Sequence, residues 1–169
     1  IMINVHLHKE TATISIDASH GPLHKRGYRE ESVSAPMQET VAAAVIRMSG
    51  WNGDRPLYDP MCGSGTLLCE AMMAHCRIPA QVFREQFGFE RLPDFDTRAW
   101  EKVREDAEAE LVPLEPGMIA GSDVSDFSVS AARTNLMGLH YGGEVNIELK
   151  DFQDIEDISD SVIVANPPY

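Results

Sequence analysis

Hydrophobic and polar residues alternate in two short runs near the start of the chain. Apolar side chains occupy every second position over residues 3–7 and again at Ile14 and Ile16, on either side of the polar stretch 8–11. A period of two is the pattern of a β-strand that has one apolar face. Two such runs joined by a few polar residues predict an antiparallel β-hairpin, which we place within residues 1–22.

From residue 23 onward, short apolar stretches alternate with longer stretches that have the spacing of helices. The predicted strands are residues 57–58, 118–122, 145–149 and 162–165. Helices are predicted over residues 67–74, which are mostly apolar, and over residues 129–139, where apolar side chains recur every three or four positions. A chain in which strands alternate with helices predicts an α/β fold with a parallel sheet.

A separate element interrupts this alternation over residues 76–117. Its first half is rich in aromatic side chains, namely Phe83, Phe87, Phe89 and Phe95. Asp96 then begins an acidic helix that is predicted to continue through Glu110, before Pro113 and Pro116 end it. We interpret this element as a structural insertion that caps the sheet.

A glycine-rich turn lies between the first predicted strand of the sheet and the helix over residues 67–74. The turn reads Asp59-Pro60-Met61-Cys62-Gly63-Ser64-Gly65-Thr66. Glycines allow a ligand to approach the main chain, and the free N–H groups at the start of a helix attract an acceptor group. The spacing matches neither the dinucleotide fingerprint nor the phosphate loop, so pyrophosphate and triphosphate ligands are disfavoured.

The acid that precedes the glycines suggests a different kind of ligand. Asp59 would repel a phosphate group, but it could pair with the amino group of an amino-acid-like ligand such as S-adenosylmethionine. We therefore assign five residues of this turn to cofactor binding: Asp59, Cys62, Gly63, Gly65 and Thr66.

Polar residues also follow the other predicted strands. Asp123 could accept hydrogen bonds from both hydroxyls of a ribose, and Asp151, next to Phe152, could accept one from an adenine amino group. Each aspartate taken alone is more typical of a solvated loop residue or a helix cap than of a ligand site. Their order along the chain favours one cofactor site, because ligands of open parallel sheets bind at the carboxyl ends of the strands.

The fourth predicted strand leads into Asn166-Pro167-Pro168-Tyr169. The Asn166 carboxamide oxygen and the following carbonyl can accept both hydrogens of an exocyclic amino group, while the prolines remove competing N–H donors. Tyr169 offers a ring on which an unstacked base can lie. Asn166, Pro167 and Tyr169 are therefore the candidate catalytic residues, and Asn166 is also placed next to the cofactor.

Together these motifs resemble the catalytic domain of class I S-adenosylmethionine-dependent methyltransferases. The closest resemblance is to the bacterial large-subunit ribosomal RNA guanine-N2 methyltransferases that carry an RNA-binding THUMP domain. It covers essentially the whole chain and is carried by residues 23–29, 35–40, 59–70 and 166–169. The resemblance implies a Rossmann-like sheet, of which this chain would supply the first four strands. It also implies methylation of guanine N2 in 23S ribosomal RNA, with the hairpin of residues 1–22 leaning on a preceding RNA-binding domain.

The charge of the chain bears on how such a protein would hold RNA. The chain has 27 acidic and 14 basic residues, a net charge of -13, whereas nucleic-acid binders are usually basic. The one compact basic and aromatic cluster contains Lys25, Arg26, Tyr28 and Arg29, which we interpret either as an RNA contact or as an ordinary solvated loop. Most of the electrostatic attraction for RNA is then expected from a separate THUMP-type domain, and a direct RNA contact by the insertion is a weaker alternative to its structural role.

Several other function classes are disfavoured. No apolar run is long enough to span a membrane, and the spacing of the six histidines does not predict a metal site. Cys62, Cys69 and Cys76 are expected to be free thiols that share one face of a helix and point into the core, which favours a cytoplasmic protein. Two alternatives stay open: an amino methyltransferase that acts on adenine N6 or on a protein glutamine, and a non-catalytic nucleic-acid-binding module.

Overall fold

A computed structural model of the chain describes residues 2–33, 36–156 and 158–167. It begins with a β-hairpin of β1 (Met2–His8) and β2 (Thr11–Asp17). The helices and strands that follow are α1 (Glu39–Met48), β3 (Leu57–Asp59), α2 (Thr66–His75), α3 (Thr97–Ala109), β4 (Ile119–Asp123), α4 (Asp126–Met137), β5 (Asn146–Leu149) and β6 (Val162–Ile163). Short 3-10 helices, including Phe152–Asp154, lie in the connections.

The strands β3 to β6 form one parallel sheet in the order β5-β4-β3-β6. The prediction of an α/β fold with a parallel sheet and an amino-terminal hairpin is confirmed. Because all four strands run in the same direction, their carboxyl ends meet at one edge of the sheet, where loops can form a ligand site.

Helix α2 lies at the centre of the domain. Its residues Thr66 to Met73 are all buried, including the polar Thr66 and Glu70, so the helix is covered on every side instead of exposing one face to solvent. α1, which the apolar pattern did not predict, packs against α2, and α4 packs against β4 and β5. Gly121 in β4 allows close approach, because a Cβ atom there would lie 2.8 Å from Leu68 of α2 and 2.9 Å from the Asp59 carbonyl oxygen.

The two strands of the hairpin pair so that it has one apolar face. Ile3 pairs with Ile16 and Val5 pairs with Ile14, so these side chains share a face. All four are more than half exposed.

The insertion contacts the base of the hairpin. The Phe89 N–H donates to the Ala18 carbonyl at 2.9 Å, and Arg84 donates to the Ser19 carbonyl at 2.8 Å. The acidic helix forms as predicted, with the Asp96 side chain as its N-cap, but no residue of α3 is buried. The expectation that this element caps the sheet is therefore wrong for α3, since a helix that covers a sheet must bury one face.

The three cysteines are all free and buried, as expected. They do not share one helix face, because α2 spans only Thr66–His75. Cys62 therefore precedes α2, Cys69 lies within it and Cys76 is its C-cap residue.

Candidate functional site

A cavity of about 480 Å³ opens at the carboxyl ends of the parallel strands. Residues that follow each of the four strands line it. Nine of the predicted site residues are among them: Asp59, Cys62, Gly63, Thr66, Asp123, Asp151, Phe152, Asn166 and Pro167. The hypothesis that the motifs at the strand ends converge on one site therefore agrees with the geometry.

The glycine-rich turn has backbone angles that favour glycine. Gly63 has φ of +54° and Gly65, the N-cap residue of α2, has φ of +78°. Gly65 does not line the cavity; it packs against α4, where a Cβ atom would lie 3.1 Å from the Cβ of Ala132. Gly65 therefore allows the turn to pack closely against α4, while Gly63 forms part of the cavity wall.

The Asp123 carboxylate connects β4 to this turn. One of its oxygens accepts a hydrogen bond from the Gly63 N–H at 2.9 Å, and the other accepts one from the Ser125 N–H at 2.9 Å. A carboxylate has about four acceptor positions, so these two bonds leave capacity for ribose hydroxyls. They also hold the carboxylate in place at the cavity wall.

Asp59 is the most buried acid in the cavity wall. It is 1% exposed, and one of its carboxylate oxygens accepts a hydrogen bond from the Met61 N–H at 3.1 Å. Burial raises the pKa of Asp59 to about 7, with a further upward contribution from the negative charge of Asp123. A positively charged group placed in the cavity would favour the ionised form of Asp59.

Asp151 and Phe152 form the wall of the cavity next to β5. Asp151 caps the 3-10 helix Phe152–Asp154, since its side chain accepts a hydrogen bond from the Gln153 N–H at 2.9 Å. The Phe152 ring is 51% exposed, so a flat apolar group can lie against it. This end of the cavity suits an aromatic heterocycle that carries an amino group.

Asn166 and Pro167 line the cavity where the chain leaves β6. Both are exposed, so a substrate can reach them from solvent. Pro168 and Tyr169 lie outside the described residues, and the predicted stacking role of Tyr169 stays a prediction.

The predicted RNA-contact cluster has a different environment. The Tyr28 ring is 2% exposed, and its hydroxyl donates to Glu70 of α2 at 3.1 Å, so the structure contradicts a stacking contact between Tyr28 and a base. Arg26 forms an ion pair with the same Glu70, and Arg29 forms one with Glu39 of α1. Of the four predicted residues only Lys25 is exposed.

Burial explains this arrangement of charges. Desolvation raises the pKa of Glu70, and the Arg26 guanidinium opposes that shift. The segment that the basic cluster suggested as an RNA contact is therefore attached to α2 by one partly buried ion pair and to α1 by another.

The sequence did not assign the other residues of the cavity wall to the site, namely Val33, Pro36, Met37, Pro60, Met61, Ser64, Leu67 and Val124. Pro36 and Met37 belong to one of the family-like motifs, but no local pattern indicated that this segment returns to the sheet edge. Within the residues that the structure describes, no His, Cys, Asp or Glu cluster has the geometry to hold a metal ion. No helix in the described part of the chain is long and apolar enough to cross a membrane.

Comparison with known proteins identifies the family to which the chain belongs. Residues 26–169 match the family model UPF0020, described as RMKL-like, methyltransferase domain. The chain belongs to this family.

Individual relatives agree with that family. A protein of Synechocystis sp., named "Putative RNA methyltransferase slr0064", is 37% identical over 170 residues, which are 100% of this chain and 44% of that protein. The "Ribosomal RNA large subunit methyltransferase K/L" of Vibrio cholerae is 38% identical over 173 residues, which are 99% of this chain and 24% of that protein.

One solved structure is also similar over almost the whole chain. It is the crystal structure of SMU.472, "a putative methyltransferase complexed with SAH", with a TM-score of 0.88 and 34% identity. The match covers 99% of this chain and 44% of that one. The chain thus spans less than half the length of each of these three proteins.

Proposed function

We propose that this domain transfers a methyl group from S-adenosylmethionine to an exocyclic amino group of a base in ribosomal RNA, most specifically guanine N2 of the 23S molecule. The observation that carries the proposal is the cavity that joins the glycine-rich turn to Asn166 and Pro167. It provides a place for a nucleoside-containing donor beside acceptors for an amino group.

The donor side of the proposal rests on chemical complementarity. Asp59 offers a carboxylate for the donor's ammonium group, Asp123 offers acceptors for ribose hydroxyls, and Asp151 with Phe152 suits adenine. The structurally similar SMU.472 was solved with SAH, the demethylated form of this donor. The donor supplies an electrophilic methyl group on a sulfonium.

The acceptor side depends on Asn166 and the carbonyl of Pro167. The amino group of an aromatic base is a poor nucleophile, because its lone pair is delocalised into the ring. Positive charge grows on that nitrogen as it attacks, so oxygens that accept its hydrogens stabilise the transition state more than the ground state. No residue needs to remove the proton beforehand, since the methylated amine is acidic and loses it to water.

Ribosomal RNA is proposed because the relative from Vibrio cholerae is named as a large-subunit ribosomal RNA methyltransferase. The base must leave its stack to enter the cavity, and we propose that the Tyr169 ring offsets part of that cost. With a net charge of -13, this chain requires another source of attraction for RNA, for which we infer a THUMP-type domain. We also infer a cytoplasmic location, where ribosomes are assembled.

The test is methylation of ribosomal RNA by the full-length protein and its variants, followed by mass mapping of the modified nucleotides. Asn166→Ala should lower single-turnover methylation by about 100-fold, with calorimetric affinity for SAH nearly unchanged. Asn146→Ala is the matched control, because this asparagine of β5 is exposed, does not line the cavity, and donates its side-chain hydrogen bond to Glu148 on the same strand. Tyr169→Phe should have a mild effect.

Each other outcome identifies an alternative. Methylated adenine in place of guanine would overturn the assigned base while keeping the reaction class. SAH binding without methylation of any ribosomal RNA would favour a glutamine or other amine substrate, and failure of the wild-type protein to bind SAH would favour a non-catalytic binding module.

A further inference from the structure

Asn135 of α4 makes four hydrogen bonds although it is 1% exposed. Its carboxamide oxygen accepts from the Glu30 N–H at 2.8 Å and the Glu31 N–H at 3.0 Å. Its carboxamide nitrogen donates to the Glu31 carbonyl and to the Ser64 carbonyl, both at 2.9 Å. These bonds use both donor hydrogens and both acceptor positions of the side chain.

The bond to Ser64 fixes one peptide plane of the glycine-rich turn. The N–H on the other side of that plane, from Gly65, donates to the Cys62 carbonyl at 2.8 Å. The Ser64–Gly65 peptide is thus held at both ends, although its neighbours Gly63 and Gly65 both have positive φ. Glycines sample many backbone conformations, so the two bonds select the one that shapes the cavity wall.

Arg29 holds the next part of the same wall. One of its terminal nitrogens donates to the Thr66 hydroxyl oxygen at 3.1 Å and to the Met37 carbonyl at 2.8 Å, while Nε donates to Glu39 at 3.1 Å. Both Thr66 and Met37 line the cavity. Arg29 precedes the two residues that Asn135 holds, so residues 29–31 link α4, α1 and the start of α2.

We propose that Asn135 and Arg29 are positioning residues for the methyl donor, acting through the Ser64–Gly65 peptide and the Thr66 side chain. Neither residue lines the cavity, so each acts on the donor through the turn. This inference rests on the proposed function, because it takes the cavity to be the donor site. It gives residues 29–31 a role in donor affinity instead of RNA contact.

The first test measures SAH affinity by calorimetry in the full-length protein with Asn135→Asp. This variant keeps an oxygen for the Glu30 and Glu31 N–H groups but loses the hydrogens that the Ser64 and Glu31 carbonyls accept. We expect the Kd for SAH to rise about tenfold or more. The methylation rate at saturating donor should stay near the wild-type value, because the acceptor end of the cavity is unaltered.

Leu136→Ala is the matched control for lost stability. Leu136 is the next residue of α4, is 1% exposed, and belongs to the hydrophobic core. It should lower Tm through a cavity in the core and keep the wild-type Kd for SAH. An Asn135→Asp protein that binds SAH as tightly as wild type would overturn the role of Asn135.

A second set of variants decides the question if Asn135→Asp does not fold. A lysine in Arg29→Lys cannot reproduce the planar fork that reaches Thr66, Met37 and Glu39 together. Arg29→Lys and Thr66→Val should each weaken SAH binding, and their effects should be non-additive because they remove the same hydrogen bond. Additive effects, or no effect of Arg29→Lys, would overturn the proposal, whereas a wild-type protein that does not bind SAH would overturn the proposed function itself.

Discussion

The buried carboxyl group of Asp59 makes a strong prediction about how stability depends on pH. Its pKa is about 7 in the folded protein, compared with an ordinary value of 3.8, mainly because burial disfavours the charge. Since the folded-state pKa is raised, the folded protein holds this proton over a pH range in which the unfolded chain has released it. The contribution of this bound proton to the stability of the folded protein is fully present below pH 4. It is lost as pH rises toward and through about 7.

Asp59→Asn removes this titration and keeps an oxygen for the Met61 N–H. At pH 8 the variant without ligand should be more stable than wild type, by up to about 4 kcal/mol, the free energy equivalent of the shift from 3.8 to about 7. The difference should shrink toward zero as pH falls to about 4. Glu70, whose pKa is also raised, is present in both proteins, so its contribution cancels.

The assay is urea unfolding of both proteins at several pH values, with and without SAH. SAH should reverse the order of stability at pH 8, because its ammonium group stabilises the ionised Asp59 of wild type and has no such partner in the variant. An equal stability difference at pH 5 and pH 8 would refute the reasoning, since it would show that Asp59 does not titrate in this range. A residue that destabilises the free protein and strengthens ligand binding is typical of functional sites.

Three further predictions concern the turn and the thiols. Asp123→Ala should weaken SAH binding by about 1–3 kcal/mol in calorimetry, because the ribose hydroxyls and the Gly63 N–H lose their charged acceptor; unchanged affinity would remove Asp123 from the site. Gly65→Ala should lower the free energy of unfolding by about 1–3 kcal/mol, as φ is +78° and the new Cβ would lie 3.1 Å from Ala132; a variant with wild-type stability in urea unfolding would contradict this. Burial raises the pKa of Cys62 and Cys69, so in native protein at pH 8 both should react with a disulfide reagent far more slowly than in urea, and equal rates would show that the thiols are accessible.

The fold could be predicted from sequence where the pattern of apolar residues is regular. The hairpin alternates with a period of two over both strands, and each of the four parallel strands is short and ends at, or within three residues before, a polar residue of the candidate site. The location of the cavity could also be predicted, because parallel strands bring their carboxyl ends together regardless of the conformation of the loops. Their positions after the strands are therefore enough to predict that Asp59, Asp123 and Asp151 lie at one cavity, and the structure has all three in its wall.

The environment of the basic cluster could not be predicted in this way. Local composition shows that Arg26 and Arg29 are charged, but the acids that pair with them, Glu70 and Glu39, lie on helices 44 and 10 residues away in the chain. Tyr28 is likewise buried by α2, which the sequence near it does not reveal. The tertiary position of a segment depends on long-range packing, and a cluster of basic and aromatic residues is compatible with a surface or with a network of ion pairs.

The four hydrogen bonds of Asn135 also have a consequence for the order of folding. They join α4 to the main chain at positions 104 and 105 residues earlier and to the glycine-rich turn 71 residues earlier. Contacts between such distant positions form late, because the intervening chain must first lose much of its freedom. During synthesis, β3 and α2 leave the ribosome well before Asn135 does, so the turn is complete in sequence before it is fixed in shape. A nascent chain that ends before α4 should therefore be unable to retain the donor, and binding should begin only when this helix has emerged and docked.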